Sequence, residues 1–393
     1  MRLLVVWALL MGASVGIRAQ DAVRQQFYGN ESSFNPAFTG QTGATRLTAG
    51  VRSQWGGTDN SGTGPDAYRG RYLTYEEALP CMFFDYGLFV QQNEQGAGGL
   101  TTTEIGGRLA VAVPILKRSV LRATNLRVGL GLSRGQHRID YAGLTFLDQY
   151  TNVGGNMGAD GRPLQSAFLA TQSNESPWYS STSLGVSLKG GIKQRPGKRT
   201  DRPLTYDVGL AVHNWGGLVT EDARQTSSLS GLDAPLSERW VASARANAVV
   251  ARRNRRYWSV HPLLIVQRQN QLSYVEAGTG VSWNRHLELG VYHHLAQLEG
   301  EGANWTSVRT VFGSVLPDDY TRLDLGLSWS FQYGSLKNYV QAPFELTATF
   351  SFARSVSCMA MGRENDFTQQ RAGRISCYNF STSGHRIYDN IWN

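Results

Sequence analysis

The chain lacks most of the features by which a function is read from a sequence. Three cysteines in 393 residues are too few to staple a disulfide framework. Beyond residue 19 no apolar run approaches the roughly 18 residues that a membrane-spanning helix needs. H-E-x-x-H is absent, which removes the metalloprotease signature. G-x-S-x-G occurs only at 12–16, inside the N-terminal apolar run, and at 131–135, inside a period-two segment, neither of them the strand-to-helix turn of an α/β-hydrolase. "GKR" at 197–199 fails as a phosphate loop, because Ile192 stands where the first glycine belongs and Arg199 where Ser or Thr belongs. His293 and His294 are adjacent, so on a strand they point to opposite faces and cannot share one metal. The water interface is the expected place for both. Ser, His and acidic residues without geometry carry no signal. No catalytic, cofactor-binding or metal-ligating residues are therefore expected, and no enzymatic activity.

What is present begins with a targeting segment. Arg2 precedes the apolar run "LLVVWALLMGASVGI", then "RAQ". A charged start, an apolar core and Ala19 ahead of Gln20 make a secretory signal peptide over 1–19. An uncleaved membrane anchor is the alternative, but the run is short for a span. Cleavage removes Arg2 and Arg18 and lowers the formal net charge of +8 by two. Nucleic acid is not an expected partner for an exported protein, despite the basic balance.

Period-two alternation dominates the rest. In "LDLGLSWSFQY", Leu323, Leu325, Leu327, Trp329, Phe331 and Tyr333 share one face, and Asp324, Gly326, Ser328, Ser330 and Gln332 the other. "FELTATFSF", "EIGGRLAVAV", "LRVGLGLS", "YDVGLAVH" and "YVEAGTGVSW" behave alike. Such alternation marks strands with one apolar and one polar face. Windows are expected at 44–55, 66–77, 82–92, 101–113, 124–135, 178–192, 204–214, 237–250, 257–268, 272–283, 286–295, 304–316, 320–333 and 344–352. The window 304–316 alternates poorly. Trp55, Trp178, Tyr179, Trp240, Tyr257, Trp258, Trp283 and Tyr333 lie near strand ends, as in an aromatic girdle. The expected fold is all-β: a transmembrane outer-membrane barrel of about 14 antiparallel strands, with outer-membrane lipid around it. Residues 20–43 form an N-terminal plug-like segment, 44–352 the barrel, and 353–393 a periplasmic tail. A soluble β-sandwich also alternates, but the signal peptide, the girdle and the even strand count stand against it.

A charge at the bilayer midplane costs roughly 2–4 kcal/mol for Lys or Arg. Arg52, Glu104, Arg108, Arg127, Asp207, Arg245, Glu276, Glu288, Asp324 and Glu345 should therefore point inward. Their mixed signs suit an internal ion-pair network better than a selectivity lining.

Even strand number puts both termini in the periplasm, with short turns there and long loops outside. The turn set is unusually basic. It holds Lys117, Arg118 and Arg122, then Lys193, Arg195, Lys198, Arg199 and Arg202, then Arg252, Arg253, Arg255 and Arg256, against Asp201 alone. Two readings stand: a solvated rim, or a docking surface for an acidic periplasmic partner.

"QQFYGNESSFNPAFTG" at 25–40 fits neither a helical nor a strand period, so it is not wall. A segment ahead of the first strand can enter the lumen and fill it with Phe27, Tyr28, Phe34 and Phe38. Here a resemblance appears. "FNPAFTG" followed by a strand ending "VRSQW" resembles the N-terminus of the PorP/SprF family of the type IX secretion and gliding machinery. The matching positions are Asn35, Pro36, Ala37, Phe38 and Gly40, then Arg52, Gln54 and Trp55. The resemblance implies a non-enzymatic barrel protein that supports export or surface anchoring of cargo with a C-terminal signal domain. It implies two kinds of partner, the type IX cargo proteins and a periplasmic ring of lipoprotein and partner subunits. A solute channel is the competing class. Family members commonly end near the counterpart of 344–352, whereas this chain continues.

In that continuation Cys358 and Cys377 flank "MAMGRENDFTQQRAGRIS". With Cys81 in a turn on the same side, three pairings are open. Cys358–Cys377 is the favoured one, because both lie in one short excursion in an oxidising compartment.

Overall fold

The computed structural model describes residues 27, 29–43, 45–54, 68–79, 84–95, 99–116, 121–139, 174–193, 203–216, 236–253, 256–284, 286–298, 301–316, 321–333, 343–352 and 355–361. Fourteen strands account for most of them: β1 Thr45–Gln54, β2 Tyr68–Glu77, β3 Phe84–Gln95, β4 Leu100–Leu116, β5 Leu121–Arg138, β6 Tyr179–Lys193 and β7 Pro203–His213, then β8 Arg239–Arg253, β9 Arg256–Gln269, β10 Leu272–Trp283, β11 Leu287–Leu298, β12 Glu301–Val315, β13 Thr321–Gln332 and β14 Phe344–Phe352. Each expected window overlaps one of them, and β4, β5 and β9 run past their windows at both ends. Every strand pairs antiparallel with its neighbours in sequence, and β1 closes the barrel against β14 from Thr45↔Phe352 to Ser53↔Phe344. Closure matters because a strand edge left in hydrocarbon would carry unpaired peptide groups, each costing several kcal/mol.

Burial is inverted relative to a water-soluble protein. Leu88, Val90, Ile105, Leu109, Leu289, Val291, Leu325 and Leu327 are exposed on the outer face. Arg52, Arg108, Arg127, Asp207, Arg245, Glu276, Glu288, Asp324 and Glu345 are buried inside, and Glu104 is half-buried beside them. All ten charged residues expected in the lumen are there. The outer face carries the girdle residues Trp178, Trp240, Trp258, Trp283 and Tyr333, with Trp258 and Trp283 paired across β9 and β10. Tyr179 departs from that expectation. It begins β6 in the inward phase, stacks on His137 at 5.0 Å between ring centroids and lies in the space left by Gly135. Trp55 lies outside the described residues.

His294 is a second correction. It is fully buried rather than at the water interface, because β11 carries it in the same inward phase as Glu288 and Tyr292. His293 faces outward. Hairpin chemistry explains two tight connections: Asn270 and Asn284 hold φ of 52° and 49°, the left-handed region that asparagine tolerates better than most side chains.

The start of β1 and the end of β14 meet at Thr45↔Phe352. The rim they occupy is called here the terminal rim. By topology the strand ends flanking 117–120, 194–202 and 254–255 reach the same rim. After β14 the chain makes a short helix, α1 Val356–Ala360. It is tied to the wall by Glu77, which accepts from Ser355 Oγ, Ser357 N at 2.8 Å, Ser357 Oγ at 2.7 Å, Tyr75 OH at 2.7 Å and Tyr86 OH at 2.9 Å.

Candidate functional site

Inside the barrel, ahead of β1, the chain makes two 3-10 turns, Glu31–Ser33 and Pro36–Phe38. Local sequence dictates the second. Pro36 at the first position has its φ preset and no N–H to leave unpaired. Asn35 caps the turn, its Oδ1 accepting from Ala37 N at 2.9 Å. The Asn35 amide does a second job, donating from Nδ2 to the main-chain oxygens of Val186 (2.9 Å) and Leu210 (3.3 Å). A side chain thus bonds the turn to two adjacent strands of the wall.

Such closeness is possible only because the wall is bare there. Gly129 of β5 pairs with Gly185 of β6, and Gly185 pairs with Ala211 of β7, two residues from Gly209. A Cβ at Gly129 would stand 2.2 Å from Ala37 N, at Gly185 1.9 Å from Asn35 Oδ1, and at Gly209 2.8 Å from Phe38 Cζ. Three inward glycines form a trough, and the Asn-Pro-Ala-Phe turn lies in it. Gly40 has its own reason: φ is +66°, and a Cβ would meet Asp85 Cβ at 2.6 Å.

Polar ties surround the seat. Arg127 donates from Nε to Ala37 O (2.9 Å) and from Nη2 to Thr39 O (2.6 Å) and Asp85 Oδ2 (2.9 Å). Arg245 bridges Glu31 and Asp207, both at 2.9 Å. Gln41 donates to Asp207, Arg108 to Ser32 Oγ at 2.9 Å, and His213 Nε2 lies 3.0 Å from Phe34 O. These pairs join the segment to the wall through the mixed-sign lumen residues read from the sequence.

An apolar half completes it. Phe27, Phe34 and Phe38 are buried together, with centroids 5.0 Å and 6.0 Å from Phe27. Their partners are Ala211, Val241, Leu263, Ile265 and Tyr292 of the wall. Burying three phenylalanines stabilises by about 1.5–3 kcal/mol each. Tyr28 lies outside the described residues. Inward Leu263 and Ile265 explain why "HPLLIVQ" in β9 is apolar on both faces: one face meets the outside and the other meets these rings.

The sequence-derived signature therefore divides. Asn35, Pro36, Ala37, Phe38 and Gly40 come together against β5–β7 and Asp85. Arg52 and Gln54 do not join them; they sit inward on β1, bonded to each other, with Arg52 5.8 Å from the Tyr68 ring centroid. Of the basic connections, Lys193, Arg252, Arg253 and Arg256 belong to strand ends at the terminal rim, where Arg253 pairs with Arg256. Arg195, Lys198, Arg199 and Arg255 lie outside the described residues, as do Cys81 and Cys377; Cys358 is part of α1. Sequence reasoning missed the glycine trough. Its signal was present, as glycines in the polar phase of three consecutive strands, but periodicity alone does not say what fills the space.

On the far side of the segment from the terminal rim, Ser33 and Phe34 floor a polar cavity of about 140 Å3. Toward β10–β13 the lumen is occupied by buried side chains of the wall. Glu276 accepts from Arg309 and, at 2.9 Å, from Tyr274 OH. His294 contacts Tyr274 OH and Ser307 Oγ, both at 2.7 Å, and stacks on Trp305 at 5.1 Å. This serine, histidine and acid are wholly buried, so their proximity offers no substrate access.

No curated protein sequence matches the chain significantly. Solved structures with similar folds include the β domain of the Bordetella autotransporter BrkA, at 13% identity and TM-score 0.29, over 79% of this chain and 99% of that one. The Pseudomonas putida toluene transporter TodX matches at 13% identity and TM-score 0.36, over 81% and 92%. A Pseudomonas aeruginosa FadL homologue matches at 12% identity and TM-score 0.33, over 82% and 93%. The sequence profile described as "Type IX secretion system membrane protein PorP/SprF" covers residues 17–350, from before the lumen segment to within β14, and the chain belongs to that family.

Proposed function

We propose that this protein is a non-enzymatic outer-membrane component of the type IX secretion system that supports export or surface anchoring of cargo. The terminal rim faces the periplasm and docks on the ring of lipoprotein and partner subunits. The cargo are proteins with a C-terminal signal domain. Family membership supplies the system. The observation that carries the finer reading is the seated segment: a lumen occupied by residues 29–43 and tied at Arg127, Arg245 and Asn35 suits a scaffold better than a conduit. The basic strand connections on one rim supply the charge for docking an acidic partner. The tail 353–393 leaves from the same rim, and a Cys358–Cys377 link would close it into a lobe; peptide mapping without reduction reads that link, and three free thiols would defeat it.

Affinity isolation of the full-length protein from envelopes tests the reading. Periplasmic ring subunits and cargo should co-purify. Reversing charge at Arg252, Arg253, Arg255 and Arg256 should leave the barrel folded, since exposed substitutions rarely shift stability by more than about 0.5 kcal/mol. It should reduce ring recovery, most sharply at low salt, where the reversed charges are least screened. Full recovery at low and high salt would reduce the basic rim to a solvated one. The second reading, a solute channel, is favoured by the polar cavity alone.

A further inference from the structure

The cavity floored by Ser33 and Phe34 has a lining with a distinct chemistry. From β3, "VQQNEQ" places Gln91, Asn93 and Gln95 in the inward phase, an amide row. Gln267 of β9 contributes a fourth amide. Gln267 is 6% exposed, and its Nε2 has no hydrogen-bond acceptor among the described residues. A buried donor without an acceptor is costly, and the side chain that carries it lines the cavity. The charged lining groups are engaged elsewhere. Glu104 accepts from Gln91, Arg108 donates to Ser32 and lies 3.9 Å over the Phe89 ring, and Arg239 contacts other protein groups. His137 and Tyr179, stacked on each other, add an aromatic edge.

Size and chemistry then narrow the ligand. An engineered cavity of about 150 Å3 takes one benzene ring, so about 140 Å3 takes one six-membered ring. Gln91 and Asn93 each have one protein partner, Glu104 and, at 2.8 Å, Tyr68 OH, but an apolar ring would leave Gln267 Nε2 and the remaining amide capacity unsatisfied. Each carboxamide offers a donor and an acceptor, as does each hydroxyl, so a row of amides matches a ring bearing neighbouring hydroxyls. We propose that this cavity binds a single uncharged sugar ring, the terminal residue of a glycan, with Gln267 donating to a ring hydroxyl. The sugar can come from a glycan of the outer leaflet or from a soluble saccharide. The first source rests on the orientation proposed above; the site itself does not.

The test uses the full-length protein in detergent micelles. Ligand-observed NMR titrations would follow methyl glucoside, methyl galactoside and methyl mannoside, the delipidated oligosaccharide of the source organism's lipopolysaccharide, and toluene. At least one saccharide should bind, and Gln267→Leu should weaken it by roughly fivefold to tenfold, the loss of one neutral hydrogen bond. Gln95→Leu is the second variant, used if the first fails to fold as judged by heat-modifiable gel mobility. Binding of the oligosaccharide alone identifies an envelope glycan; equal binding of a methyl hexoside identifies a soluble sugar; both support the site. Absence of saccharide binding, unchanged binding in both variants, or toluene binding in place of sugar would overturn it. Ring and cargo recovery with Gln267→Leu should match the unmodified protein, so failure here and failure of the secretion reading are separate results.

Discussion

Strands β5–β7 and strands β10–β11 both turn glycines toward the lumen, and what lies over those glycines differs. Over Gly129, Gly185 and Gly209 lie Asn35, Pro36, Ala37 and Phe38, residues of another segment of chain. Over Gly278 and Gly290 lies Tyr292, a wall residue of β11 itself, with atoms 2.6 Å and 2.5 Å from the built Cβ positions. Removing a Cβ serves two purposes in one barrel. On the first side it admits a foreign main chain, held by bonds to peptide groups at Ala37, Thr39, Val186 and Leu210. On the second it lets neighbouring strands pack their own large side chains, Tyr274, Tyr292, His294 and Trp305, around Glu276 and Arg309. The first filling is removable in principle without touching the wall; the second is the wall.

Conductance reads the difference, and deletion of residues 25–40 is the strongest perturbation. In planar bilayers the intact protein should be nearly silent. The deletion should open a steady pore, because the trough and the apolar patch at Val241, Leu263 and Ile265 then face water while the fourteen-strand ladder is untouched. Large porin-like conductance in the intact protein would instead promote the channel reading and end the contrast between the two sides.

A single substitution should give a smaller version of the same effect. Gly185→Leu drives atoms into the space of Asn35 Oδ1, 1.9 Å from the built Cβ, and the turn must lift. Overpacking of this kind typically costs 1–3 kcal/mol or so. Its expected signature is flickering conductance and faster proteolysis near residues 29–43, with the barrel still folded on gels. A silent, protease-resistant Gly185→Leu protein would mean that the trough accommodates side chains and is not a fitted seat.

Much of the ladder was legible because the bilayer reverses burial strand by strand: Leu323 to Tyr333 and Phe344 to Phe352 advertise their apolar phase. β12 was the weak case, and its structure says why. Trp305 sits in the inward phase, stacked on His294, while Thr306 and Thr310 take the outward phase, so neither face is clean. The lumen segment was visible as an aperiodic stretch with four aromatics, but its seat was not. Contacts from Asn35 to Val186 and Leu210 span 151 and 175 residues, and no local pattern encodes such distances. The Glu77 anchor of α1 was equally hidden, since a single acid at a strand end has no sequence neighbour that reveals Ser355 and Ser357.

The smallest expected effect belongs to the self-filled side. Tyr274 OH has one proton and gives it to Glu276 Oε2 at 2.9 Å. Its oxygen therefore accepts from His294 Nδ1–H at 2.7 Å, and the neutral imidazole is left with Nε2 as an acceptor. Ser307 Oγ, 2.7 Å away, supplies the donor. Ser307→Ala removes that donor and leaves a buried acceptor unsatisfied, a cost of about 1–3 kcal/mol. The chain of bonds is enclosed by Trp305 and Arg309, and among the described residues no hydrogen bond joins it to the 29–43 segment. The variant should lose its folded gel band at a lower temperature than the unmodified protein and remain silent in bilayers. Conductance from Ser307→Ala comparable to that of Gly185→Leu would show that the two sides open together, and the lumen would then be one coupled filling rather than two.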